Sequence, residues 1–184
     1  MDGMVKASPG RKGKRFSPNQ LRSRAKKIKL VLTDNDGVLT DTGVYYDENG
    51  EALKRFSIRD GMGVELLRQV GIETAIITSE MSPSVRRRAE KLRMRYLYLG
   101  VKDKKEHLDV ILKETSLAVN QTAYIGDDVN DMAMIEEIGK AGLTAAPCDA
   151  MPVIRNAVHY RCKNPGGNGA FRDFAEWILH LRKS

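Results

Sequence analysis

Ile28-Lys29-Leu30-Val31-Leu32-Thr33-Asp34-Asn35-Asp36-Gly37 is an apolar run that ends in two carboxylates and a glycine. The run reads as a buried strand, and strands alternate side-chain direction, so Asp34 and Asp36 lean to the same side where the strand opens into a loop. Gly37 lets the chain turn away sharply. Asp-x-Asp-Gly also occurs in turns and calcium loops, so by itself the stretch says little. Its partner is Gly126-Asp127-Asp128-Val129-Asn130-Asp131, which follows a second apolar run, Thr122-Ala123-Tyr124-Ile125. Two acidic strand ends in one parallel sheet converge on a divalent cation.

Outward from these two stretches, apolar runs alternate with amphipathic segments, the pattern of a doubly wound, Rossmann-like α/β fold with a parallel sheet. Strands are predicted at Ile28–Asp34, Glu73–Thr78, Tyr96–Leu99 and Thr122–Gly126, with short ones at Ala141–Ala145 and Val158–Tyr160. Helices are predicted at Asp60–Val70, Pro83–Leu92, Lys104–Thr115, Asp131–Ile138 and Ala170–Leu181. Between the first strand and first helix, Val44–Phe56 reads as a β-hairpin turning on Asn49-Gly50. No internal repeat or second domain is visible.

The 184 residues, 41% of them hydrophobic, are enough for one good core. No stretch is apolar enough to cross a membrane, no secretory signal is present, and a cytoplasmic protein is expected. Cys148 and Cys162 are too few for a disulfide framework and lack zinc spacing. The formal net charge of +7 raises nucleic acid as a partner, but residues 1–27 hold nine basic side chains against Asp2 alone, leaving the remainder close to neutral. Residues 1–26 therefore read as a basic, largely flexible tail preceding a domain over 27–184. With Phe16 its one aromatic residue, the tail offers little for base stacking, so nucleic acid is not the expected partner.

Carboxylates without neighbouring thiols or imidazoles select a hard cation, and magnesium fits best. Asp34, Asp36 and Asp127 are the candidate metal-site residues, with the Asp36 side chain held off the ion. Asp34 is then placed to attack phosphorus and form an aspartyl-phosphate. Asp36 can protonate the departing alkoxide and later activate water. Asp128 and Asp131 are expected to orient the metal's waters or cap the following helix. Thr78 at a third strand end and Lys104 at a fourth offer a hydroxyl and an ammonium to the phosphoryl group, with Lys102 and Lys105 as competitors for the latter role. His107, His159 and His180 fall in no triad or metal spacing.

Asp34-x-Asp36, Thr78, Lys104 and Gly126-Asp127-Asp128-x-x-Asp131 resemble, in order, the four motifs of the haloacid dehalogenase phosphatase superfamily. The resemblance covers about residues 28–182. The short insert after the first motif, Arg59-Asp60-Gly61, and Gly166-Gly167-Asn168-Gly169-Ala170-Phe171-Arg172 are similar to its small subgroup without a cap domain, which acts on sugar acid phosphates. That resemblance implies a homotetramer built on the Val44–Phe56 hairpin, with Gly166, Gly167, Asn168 and Gly169 reaching a neighbouring subunit's site. Ser79-Glu80, where octulosonate enzymes carry Gly-Arg, and the run through Lys91 are similar to the nine-carbon members. The resemblance thus implies Ser79, Glu80, Arg88, Lys91 and Arg59 as substrate contacts and a nine-carbon 2-keto-3-deoxy sugar acid 9-phosphate as substrate. 3-Deoxy-manno-octulosonate 8-phosphate is the alternative. A non-catalytic tetramerisation module, as found in some sugar-nucleotide synthetases, is the other class, although it needs none of Asp34, Asp36, Lys104 and Asp127. Asn35 and Ser79 depart from the subgroup's usual residues.

Overall fold

Residues 16–183 are described by a computed structural model. The chain runs α1 (Pro18–Lys27), β1 (Leu30–Thr33), β2 (Tyr45–Asp47), β3 (Gly50–Leu53), α2 (Ile58–Gln69), β4 (Glu73–Ile77), α3 (Pro83–Lys91) and β5 (Tyr96–Tyr98). It continues through α4 (Lys104–Thr115), β6 (Thr122–Ile125), α5 (Met132–Gly139), β7 (Leu143–Ala146), α6 (Pro152–Ala157), β8 (Tyr160–Arg161) and α7 (Ala170–Lys183). Six strands form one parallel sheet in the order β5-β4-β1-β6-β7-β8, while β2 and β3 form a separate antiparallel hairpin. This is the doubly wound arrangement, with the hairpin as the insert after β1 and no cap domain among the described residues.

Alternation along the central strands divides the interior in two. Val31, Ile76, Ala123 and Ile125 face a core closed by α1, α2, α3 and α7. Leu30, Leu32, Ala75, Ile77 and Tyr124 face the other, closed by α4, α5 and α6. The register pairs Thr33 with both Ile76 and Ile125, so the chain leaves β1, β4 and β6 at one edge of the sheet. Asp34, Thr78 and Asp127 come off that edge together, where open α/β sheets hold ligands.

The predicted tail needs correction in its second half. Residues 1–15 lie outside the described residues, but Pro18–Lys27 is a helix with Ser17 and Gln20 forming a reciprocal capping box. Two arginines tie it to other helices. Arg24 donates to the carbonyls of Gly139, Lys140 and Gly142 at the end of α5, and Arg182 donates to those of Ala25, Lys26 and Ile28 at the end of α1. Ala25 is its one buried residue, which is why no hydrophobic period announces it. Helix α6 was likewise not among the predicted elements.

The Arg59-Asp60-Gly61 segment has an architectural use. Asp60 is buried and its carboxylate accepts the backbone N–H groups of Gly169 at 3.0 Å and Arg172 at 2.9 Å, capping α7 from α2. A Cβ at Gly63 would press on the Arg172 backbone, so the two helices meet closely there. None of the described helices is long and apolar enough to cross a membrane.

Candidate active site

Carboxylate oxygens of Asp34, Asp127 and Asp131 lie within 4.8 Å of one another. Gly37 brings the first loop onto the second: its φ of +82° is the left-handed conformation, and a Cβ there would overlap the Asp127 carboxylate. Burial, and then repulsion from Asp131, pushes the Asp34 carboxyl up to about 7, while Lys104 opposes the shift. Burial followed by repulsion from Asp34 and Asp131 pushes Asp127 up to about 8. Two carboxyl groups this reluctant to ionise, with all-oxygen donors beside them, fit a hard divalent cation.

Asp131 is occupied otherwise. One oxygen accepts from Lys104 Nζ at 2.7 Å and from the buried Tyr124 hydroxyl, and the other accepts the Asp127 N–H at 2.8 Å. It thereby orients the loop that presents Asp127. Asp128 caps the turn after it, accepting the Val129 N–H at 2.6 Å. Asp131 also accepts the Asp128 N–H at 3.4 Å, so the two residues form a capping box on that turn.

Lys104 opens α4, whose N-cap Asp103 accepts the Glu106 N–H at 2.9 Å. Its buried ammonium sits 2.9 Å from Asp34 and 2.7 Å from Asp131. Burial alone would lower its pKa, but the two carboxylates outweigh burial and raise it, so the lysine stays charged. The competitors Lys102 and Lys105 are exposed. Thr78 is buried at the end of β4, and its hydroxyl accepts the Glu80 N–H at 3.2 Å.

The Asp36 side chain, expected to be held off the ion, is not in the acidic cluster. Lys54, a residue the sequence reading missed, donates to both Asp36 oxygens at 2.6 and 2.7 Å. Asn35 Nδ2 at 3.0 Å and the Thr40 hydroxyl at 3.2 Å converge on the same Oδ1. The only advance signal of Lys54 was its place on the second arm of the predicted hairpin, just past β3. Asn35, one of the two departures from the subgroup's usual residues, is fully buried.

The expected substrate contacts fare unevenly. Ser79 and Glu80 flank Thr78, and the Ser79 hydroxyl lies 3.5 Å from a Glu80 carboxylate oxygen. Arg88 donates to the Ser57 carbonyl at 2.7 Å and packs beside Gly61. Lys91 ends α3 on an exposed turn, about 12 Å along the axis from Pro83 at 1.5 Å per residue, away from the sheet edge. Arg59 is exposed. Gly166 and Gly167 pack on their own chain's first loop, where a Cβ on Gly166 would overlap the Gly37 carbonyl and Gly167 N–H donates to Val38 at 2.9 Å. Gly169 is tied to Asp60, leaving Asn168 as the exposed member of that loop.

The 3-deoxy-D-manno-octulosonate 8-phosphate phosphatase KdsC of Haemophilus influenzae is 38% identical to this chain over 162 residues, 88% of each protein. The chain belongs to the KdsC family of haloacid dehalogenase phosphatases. A cobalt-bound structure of the Haemophilus influenzae phosphatase superposes with a TM-score of 0.82 at 38% identity, covering 87% of this chain and 92% of that one. The Moraxella catarrhalis KdsC structure, in complex with magnesium, phosphate and KDO, gives a TM-score of 0.83 at 35% identity, covering 90% and 93%. No protein-family model matches the chain. These KdsC relatives are octulosonate enzymes, so the nine-carbon reading of Ser79-Glu80 gains no support from them and gives way to its alternative.

Proposed function

We propose that this KdsC-family phosphatase hydrolyses 3-deoxy-D-manno-octulosonate 8-phosphate with bound magnesium. The observation that carries the reading is the buried meeting of Asp34, Asp127 and Asp131 with Lys104 at one sheet edge, in a chain whose relatives act on this ester. Asp34 and Asp127 would hold the ion, with Asp36 offering it only its backbone. When bound, magnesium offsets the charge of the phosphoryl oxygens and favours the ionised form of Asp34.

The protein's own groups carry the chemistry. A carboxylate oxygen of Asp34 attacks phosphorus, and the bond from phosphorus to the sugar oxygen breaks. Asp36 gives its proton to that oxygen as it leaves. A water molecule then attacks the phosphorus of the aspartyl-phosphate, Asp36 takes up the proton, and Asp34 is released with inorganic phosphate. Thr78 donates to a phosphoryl oxygen, and Lys104 holds Asp34 in place and stabilises the transferring group. Ser79, Glu80 and Arg59 remain candidates for the sugar end.

The hairpin supports a homotetramer as the working form. Tyr45, Tyr46 and Leu53 on the hairpin and Ile58 at the start of α2 expose large apolar surface that a second copy can cover. Free thiols at Cys148 and Cys162 fit a cytoplasmic setting. A purely structural module has no use for a buried lysine between two carboxylates. Turnover of the eight-carbon 8-phosphate and a nine-carbon 9-phosphate with magnesium tests the assignment. Higher kcat/KM for the eight-carbon ester is expected, and preference for the nine-carbon ester would overturn it.

A further inference from the structure

The hairpin is fastened to the site by a chain of polar contacts that no step above uses. Lys54 follows β3, and its side chain is 1% exposed. A lysine buried to that extent needs anionic partners, and it has two: Asp36, and Glu51 at 3.3 Å. Glu51 in turn accepts from the Ser82 hydroxyl, which caps α3. An antiparallel bridge between Thr40 and Phe56 closes the base of the hairpin. The ammonium is thus fixed from behind by Glu51 and aimed at Asp36.

The distribution of donors on Asp36 is uneven. Oδ1 is held by Asn35, Thr40 and Lys54, whereas Lys54 is the one donor to Oδ2 among the described residues. Removing Lys54 leaves Oδ1 two donors and Oδ2 none, so the carboxyl can swing about the remaining anchor. Proton delivery to a leaving oxygen tolerates little misplacement.

We propose that Lys54 is a positioning residue for Asp36, acting from the hairpin to aim the carboxyl at the leaving oxygen. This rests on the phosphatase reading with Asp36 as acid. It does not depend on which sugar acid is the substrate.

Leaving-group dependence separates aiming from mere support. A primary sugar alkoxide must be protonated as it departs, whereas p-nitrophenolate leaves without a proton. We would compare Lys54→Met with wild type on an alkyl phosphate and on p-nitrophenyl phosphate, both with magnesium. The variant is expected to lose about 10- to 100-fold more kcat/KM on the alkyl ester than on the aryl ester, because kcat/KM ends at leaving-group expulsion, ahead of the aspartyl-phosphate hydrolysis that both esters share. Glu51→Gln, which keeps the shape and removes the charge behind Lys54, should show the same split at smaller size if Lys54→Met folds poorly. Equal losses on both esters, or no loss on either, would overturn the role. The substrate assignment is read separately from the wild type: failure on the octulosonate ester with turnover of another primary alkyl phosphate removes that assignment and leaves the Lys54 comparison intact.

Discussion

Lys104 Nζ stands 2.9 Å from Asp34 and 2.7 Å from Asp131, so one buried ammonium joins the carboxyl that ends β1 to the carboxyl that orders the loop after β6. Lys104→Met should therefore act twice. It leaves two buried carboxyl groups without their cation, a loss of about 3–5 kcal/mol. It also removes charge stabilisation from the transferring group, lowering kcat by about 100-fold or more. Chemical denaturation and steady-state turnover of the folded fraction measure the two effects independently.

Asp60 predicts the opposite balance. Asp60→Ala strips the acceptor from two N–H groups at the start of α7, with an expected stability loss of about 1–3 kcal/mol. Turnover per folded molecule should change little, because Asp60 lies at the junction of α2 and α7 and makes no hydrogen bond to Asp34, Asp36, Thr78, Lys104 or Asp127. A denaturant midpoint shift with retained kcat is the expected pair of results.

Gly37→Ala places a Cβ where Asp127 sits and asks an alanine to adopt a φ of +82°. Displacement of the Asp127 carboxyl should raise the magnesium concentration for half-maximal activity by about tenfold or more. Titrating magnesium against turnover gives the shift directly.

His159 supplies a pH dependence of stability. Burial, and then the Arg24 charge, lowers its pKa from 6.5 to about 4, and its Nδ1 accepts the Thr144 N–H at 3.0 Å. The unfolded chain takes up a proton below 6.5 that the folded chain refuses until about 4. Stability contributed by the neutral ring is thus complete above 6.5 and is lost as pH falls toward 4. Replacing His159 by Gln should flatten that acid limb in denaturant midpoints taken inside and above the window.

Much of this was legible in the chain because strand ends announce themselves. Apolar runs closing on Asp34, Thr78 and Gly126-Asp127 fixed both the parallel sheet and the residues at its edge, and Lys104–Thr115 was read with its observed bounds. Helix α1 was hidden because it shows no apolar stripe, with Ala25 its one buried residue, and is held by Arg24 and by Arg182 of α7 through carbonyls at helix ends. Lys54 was hidden because the hairpin folds back over 18 positions to reach Asp36, a contact with no local signature. The tie from Arg88 to the Ser57 carbonyl was hidden because a basic residue on α3 has the same local pattern whether or not it makes such a contact. The nine-carbon expectation gives way to its alternative for a related reason: Glu80 is exposed on a short loop, and two residues there were asked to decide what the whole site decides.

The central claim is that Asp34 becomes covalently phosphorylated. Acid quench of the magnesium-loaded enzyme during turnover of the octulosonate 8-phosphate, followed by borohydride reduction and peptide mass spectrometry, tests it most directly. Reduction of an aspartyl-phosphate leaves homoserine, so the account predicts homoserine at position 34 in wild type and none in Asp34→Asn, which should also lack turnover. Rapid turnover by Asp34→Asn, or homoserine at Asp36 or Asp127 in place of Asp34, would contradict it.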